Sequence, residues 1–294
     1  MKVHVAVVGV NRCLSVTGKN LRRELSIHRL SPFTQTWSLT LIEPEGGAVS
    51  SPRSGEHGKL EEELPPEFSD VPILRLNQTC VDSELEVMGL RSLHLNAEWT
   101  QHIQSVENLF RFLFALRESY LKQIAQNDPD FVIFCRPDIN ISGRLALDFR
   151  LFQLAAISVL RLPAAILPAW GRSRGINDRF AILNRESLEN YFLRLDRAFD
   201  FFRNKPNANA ERFLQDSLLR VFTLNTVFTP MPRIRIQGRV QEEDKKLVEL
   251  GAFGLRLSVY RARLNRLWRR LERLWVPVDR ANETNVQKPR KIDQ

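Results

Sequence analysis

Cysteine is scarce in this chain: its 294 residues hold three, Cys13, Cys80 and Cys135. They are odd in number, far apart, and form no CxxC pair or Cys/His ligand spacing. A disulfide framework and a structural zinc site are therefore excluded as organising devices, and a reducing compartment suits the chain. Five histidines, His4, His28, His57, His94 and His102, are equally scattered and read as structural. No apolar run is long enough to cross a bilayer. The opening Met1–Val8 is too short for the core of a secretory leader and reads as a first strand, so the expected location is cytoplasmic. There is no Walker P-loop, no GxSxG elbow, no GxGxxG, no internal repeat and no low-complexity tract.

Charge is present, but unevenly. The net +9 comes mostly from the C-terminus. Residues 255–275 carry seven arginines (Arg256, Arg261, Arg263, Arg266, Arg269, Arg270 and Arg273) against Glu272 alone. The body before them is close to neutral, which disfavours nucleic acid as a partner. From Lys245 to Trp275 the pattern predicts a basic amphipathic helix, with Leu257, Val259, Leu264, Leu267, Trp268, Leu271, Leu274 and Trp275 in one stripe. Such a helix suits an anionic membrane surface, a short coiled coil or the protein's own body. The expected division is a nucleotide-binding domain over 1–240, a helical extension over 241–276 and a disordered tail over 277–294.

Apolar runs place strands at 3–10, 36–42, 72–76, 131–135 and 180–183, with further short strands at Val227 and 234–236. Helical spacing covers about 17–27, 97–126, 187–195 and 210–222. The polar stretch 43–66 reads as a long loop, and Pro168 as part of a loop before Trp170. Strands alternating with helices predict an α/β fold with a mostly parallel sheet.

The segment Phe131-Val132-Ile133-Phe134-Cys135-Arg136-Pro137-Asp138-Ile139 is the strongest signal. A buried strand stops abruptly at Arg136 and Asp138, which places them at its C-terminal end, where open α/β sheets bind ligands. The carboxylate suits a cation or a ribose hydroxyl, and the guanidinium a phosphate. A buried Arg–Asp pair that merely ends the strand is the other reading. Downstream, Gly175-Ile176-Asn177-Asp178-Arg179-Phe180-Ala181 sets an amide and two charges directly before a strand; ligand contact and a simple Asn-Asp turn both fit.

With Gly9-Val10-Asn11-Arg12 and the loop Ser51-Pro52-Arg53-Ser54-Gly55-Glu56, these segments resemble bacterial and viral glycosyltransferases. The resemblance spans roughly Val3 to Gly238, with no single long motif. It implies a GT-A-like, single Rossmann-type domain that moves a hexose or related sugar from a nucleotide-diphospho-sugar donor to a glycan or lipid-linked acceptor in surface polysaccharide synthesis. In that family Gly9, Asn11, Arg12, Arg53, Arg136, Asp138, Asn177 and Arg179 would line the donor site. Asp138 would hold Mn²⁺ or Mg²⁺, and Asp178 or Glu211 would act as general base. Arg136 stands where the first aspartate of the family's Asp-x-Asp pair would be, so a metal-independent mechanism is equally implied. A catalytically inactive nucleotide- or glycan-binding protein, or a scaffold peripheral to the inner face of the membrane, is the alternative.

Overall fold

The computed structural model describes residues 1–10, 13–28, 30–43, 48–50, 57–59, 64–93, 103–170, 177–205, 210–234, 240–241, 244–246, 248–258 and 260. Asn11, Arg12, Arg53 and most of the predicted C-terminal helix and tail lie outside the described residues. The first compact unit runs from Met1 to Leu255.

Strand β1 (Lys2–Val10) leads into helix α1 (Leu14–Glu24), then β2 (Thr34–Glu43). Two short strands follow, β3 (Ala48–Ser50) and β4 (His57–Lys59), paired only with each other. The stretch expected to be a featureless loop thus contains a small antiparallel hairpin. Next come β5 (Ile73–Asn77), α2 (Gln78–Val87), α3 (Ile103–Ser119) and β6 (Phe131–Cys135). The Asn77 side chain caps α2 by accepting from the Thr79 and Cys80 amides. Helix α3 continues through a π-turn at Tyr120–Ile124 to Asn127, and Asp128 ends it in a left-handed conformation.

The second half holds α4 (Leu147–Ser158), β7 (Ala164–Pro168), β8 (Phe180–Asn184), α5 (Leu188–Phe192), α6 (Leu195–Asn204), α7 (Ala210–Ser217) and β9 (Phe222–Val227). Sequence reading missed α4 and β7, so Pro168 closes a strand rather than sitting in a loop. Proline is tolerated there because the ladder is already irregular between Leu167 and Pro168. Ile234 makes an isolated bridge to Val240.

Seven strands form one sheet in the order β5-β2-β1-β6-β8-β7-β9, parallel except for β8. This is the α/β, Rossmann-type architecture with a mostly parallel sheet that was expected, with one reversed strand. The reversal has a simple cause: β7 ends at Pro168 and β8 begins at Phe180, a connection shorter than the crossover that parallel neighbours need. Both faces of the sheet are covered, so its central strands are buried throughout and show no alternation. Ala6, Val8, Val132, Phe134, Ala181 and Leu183 meet α3 and α5–α7 on one face. On the other, Phe131 packs on Phe33, which packs on Phe152 of α4.

Candidate functional site

Strand order turns at β1 and β6. From β1 the chain moves outward to β2 and β5, then crosses back to β6, and this switch point, at the C-terminal ends of β1 and β6, is where open α/β sheets have their ligand crevice. The register Val7↔Cys135 brings Gly9 beside the Arg136–Asp138 segment. Gly9 has φ 152°, and a Cβ there would come within 2.9 Å of the Pro137 ring. The glycine is therefore required by the close approach of Pro137.

The segment after β6 is held from several directions. Thr17 Oγ1 donates to the Pro137 carbonyl at 2.6 Å. Asn20 satisfies both the amide and the carbonyl of Ile141. The Ile234 amide donates to the Asp138 carbonyl at 2.7 Å, and the Asn140 and Ser142 amides donate to Pro232 and Pro230.

On this frame the Arg136 guanidinium grips Asp138 with two parallel bonds, Nε–Oδ1 and Nη2–Oδ2, both 2.9 Å. The Asp138 side chain is 6% exposed and that of Arg136 29%. Arg136 also lies over the Phe112 ring at 5.7 Å. Burial works against its charge, but Asp138 and then Asp178 outweigh it, and its pKa is raised. The pair ends the strand as an ion pair, and it stands at the C-terminal edge of the sheet, the edge at which open α/β sheets bind ligands.

The reversed β8 brings Asn177, Asp178 and Arg179 to the same edge, because Phe180 pairs with Cys135. Their roles differ from those expected. Asn177 is buried; its Oδ1 accepts from the Arg179 amide at 2.9 Å, and its Nδ2 donates to Trp170 O. It shapes the turn and is not presented to a ligand. Arg179 is likewise engaged, with two bonds to Asp244 (2.9 and 3.0 Å), one to the Met231 carbonyl, and the Trp170 ring at 5.5 Å. Burial and the neighbouring Arg233 lower its pKa. Both side chains therefore brace the scaffold around the edge. Asp178 alone of the three fits a site. It is half-buried, has no hydrogen-bond or ion-pair partner among the described residues, and acts electrostatically on Arg136, Tyr191 and Arg194.

Glu211 opens α7, whose Phe213 packs on Phe201 and Phe202 of α6. It belongs to a helix of the layer that covers one face of the sheet.

Three groups that sequence reading passed over complete the surroundings. Asp244 is 3% exposed at its side chain and receives both Arg179 and Arg233. Burial pushes its pKa up, the two arginines outweigh that, and the net direction is down. Arg194 is 1% exposed; it donates to the Tyr191 carbonyl and its guanidinium lies 4.3 Å from the Tyr191 ring centre. Burial lowers the pKa of Arg194 and raises that of Tyr191. Arg194 Nε and Tyr191 Oη are buried without a hydrogen-bond partner among the described residues. The one sequence signal for this pair is an arginine set inside the apolar run Tyr191-Phe192-Leu193-Arg194-Leu195.

A divalent cation fits these residues poorly. No three His, Cys, Asp or Glu side chains converge among the described residues, and both Asp138 oxygens already accept from Arg136. A cavity of about 560 Å³, lined by Tyr120, Pro129, Arg185 and Arg197 among others, lies at the opposite end of β6 and is not part of this crevice.

The fold and this crevice define an α/β protein with a polar, charge-paired site at the switch point of a Rossmann-type sheet. No protein-family model matches the chain, and no curated protein matches it in sequence. Among solved structures it is similar to the galactosyltransferase LgtC in complex with donor and acceptor sugar analogues, at 11% identity and a TM-score of 0.40, over 76% of this chain and 73% of that one. It is similar also to an active-site mutant of LgtC, at the same identity and TM-score, over 76% and 72%. A likeness this distant assigns no activity, ligand or residue role to this chain.

Proposed function

We propose that the chain is a glycosyltransferase that takes a nucleotide-diphospho-sugar donor in the β1/β6 crevice and passes the sugar to a glycan or lipid-linked acceptor, as in surface polysaccharide synthesis. The observation that carries this reading is the Arg136–Asp138 pair at the switch point, with the carboxylate of Asp178, which has no partner among the described residues, acting on Arg136. An anionic membrane surface met by the arginine-rich segment 255–275 belongs to the same proposal.

In this reading the acceptor hydroxyl oxygen forms a bond to the anomeric carbon while the bond from that carbon to the diphosphate oxygen breaks. The electron pair leaves with the diphosphate, and Arg136 offsets its charge. Asp178 takes the hydroxyl proton. Arg136 must turn part of its fork from Asp138 to the phosphate, so Asp138 acts as the resting counter-ion. The mechanism needs no metal, and Mn²⁺ or Mg²⁺ would have to be held mainly by the donor phosphates and water.

Thermal unfolding against a panel of nucleoside diphosphates and nucleotide-sugars, with and without Mn²⁺, tests the donor site. A stabilising shift for one nucleotide is expected, abolished in the double variant Arg136→Gln/Asp138→Asn. The double variant is needed because Arg136→Gln alone would strand a buried carboxylate at a cost of about 3–5 kcal/mol. Asp178→Asn should keep the shift and lose at least 100-fold in turnover, the low end of what a general base contributes. No shift across the panel would overturn the reading. A shift with no sugar transfer to any acceptor would favour a nucleotide-binding protein without catalysis, to which the occupied fork of Arg136 also points.

A further inference from the structure

Two turns lie side by side at the sheet edge opposite the crevice. One follows α4 and reads Val159-Leu160-Arg161-Leu162 before β7; the other follows α7 and reads Leu218-Leu219-Arg220-Val221 before Phe222 opens β9. The Phe222 amide donates to the Pro163 carbonyl at 2.8 Å, which fixes the two turns together. Their tips are apolar and open to water: Val159 is 81% exposed, Leu160 67%, Leu219 74% and Phe222 55%. Each turn also sets an exposed arginine between apolar neighbours. Among the described residues neither the Arg161 nor the Arg220 guanidinium has a hydrogen-bond or ion-pair partner. The one acid on α7 near the turn, Asp216, is held by Lys205 at 2.9 Å. Arg161 adopts φ 52°, the left-handed conformation in which the chain leaves α4, and its amide donates to the Ser158 carbonyl at 2.9 Å, which fixes the turn.

Water disfavours such a cluster of apolar tips, and a protein partner would have to desolvate two arginines and supply acids for them. A lipid surface does neither. Apolar tips enter the boundary between headgroups and acyl chains, while arginines stay at phosphate level on their extended stems. We propose that the turns 159–162 and 218–222 form a docking tip for an anionic phospholipid surface, with Arg161 and Arg220 on lipid phosphates. This tip is independent of the basic segment 255–275 and of the glycosyltransferase reading. It has a consequence for that reading. The crevice stands at the other end of strands five residues long, roughly 15–20 Å further from the bilayer. A lipid-linked acceptor would then have to project its reactive sugar that far beyond the headgroups.

The test uses the full chain with Cys80, the exposed cysteine, changed to serine. Leu219→Cys then carries an environment-sensitive fluorophore, since Cys13 and Cys135 are buried. Emission should shift to the blue with phosphatidylcholine vesicles containing phosphatidylglycerol and not with phosphatidylcholine alone. Arg161→Gln/Arg220→Gln should weaken partitioning about 30-fold, roughly fivefold for each charge removed. Leu160→Ser should weaken it too, without altering thermal unfolding, because the side chain is on the surface. Three results would overturn the proposal: no sedimentation with anionic vesicles, sedimentation with unchanged emission, or an emission shift that follows protein concentration in the absence of vesicles. The second would place the lipid contact elsewhere on the chain, and the third would give the face to a second copy.

Discussion

His4 lies in the middle of β1, fully buried, with Nδ1 on Thr36 Oγ1 at 2.9 Å and Nε2 on Ser38 Oγ at 2.7 Å. Two hydroxyls from the adjacent β2 satisfy a neutral ring and offer no counter-charge, so burial lowers its pKa to about 4. The unfolded chain binds a proton near the ordinary histidine pKa that the folded chain refuses until far lower pH. The stability this represents is complete above pH 6.5 and is lost as pH falls toward 4, about 3 kcal/mol in all. Urea unfolding of the wild type and His4→Gln at pH 7 and pH 4.5 should show the variant less sensitive to acid; equal losses would remove His4 from the account. The scattered histidine that sequence reading set aside as structural is structural, and its effect on acid stability comes from burial in the sheet, which the tertiary fold imposes.

Elements were legible where their periodicity was strong and continuous. The apolar run 131–135 is a strand to the residue, and α3 follows its predicted stripe. Within α3, the run Phe110-Arg111-Phe112 sets one arginine among aromatic residues. Phe110 and Phe112 are buried, but Arg111 grips Asp82 of α2 with Nε at 2.6 Å and Nη2 at 2.9 Å. Its side chain is 15% exposed. This pair joins α2 to α3, so Arg111→Ala should cost about 1 kcal/mol and speed amide hydrogen exchange in α2 ahead of the rest of the chain. Exchange rising uniformly across all elements would show that α2 is held by packing alone. Helix α4 escaped notice for a physical reason: Phe149 and Phe152 are exposed, so no clean apolar stripe distinguishes it.

At the scale of the whole molecule, long-range ion pairs decide which charges are available. Asp244 lies past the expected domain boundary at 240, yet within the first compact unit, where it takes up Arg179 and Arg233. Asp244→Ala would leave two largely buried guanidiniums facing each other, a loss of about 3–5 kcal/mol in denaturant unfolding. Arg179→Met/Asp244→Leu should recover much of it. If the single variant unfolds like the wild type, the triad contributes no more than surface charges do. Because Asp244 is held below the ordinary carboxylate range, its contribution is present at neutral pH and is lost as pH falls through its lowered pKa. Among the described residues no helix is long and apolar enough to cross a membrane, so the lipid contact proposed for the two turns would be peripheral.

The sequence by itself determined the α/β class and the buried strand ending at Arg136 and Asp138. Both depend on local period. Tertiary structure decided which polar groups share a site. Asn177, Asp178 and Arg179 precede β8, so in an all-parallel sheet they would stand at the edge opposite Asp138. The antiparallel return of β8 beside β6 carries them to the same edge, and the choice of partners then takes Asn177 and Arg179 into the scaffold. Strand direction and ion-pair choice arise from contacts between residues distant in the chain, which no local pattern encodes. Those contacts leave Asp178 beside the Arg136–Asp138 pair.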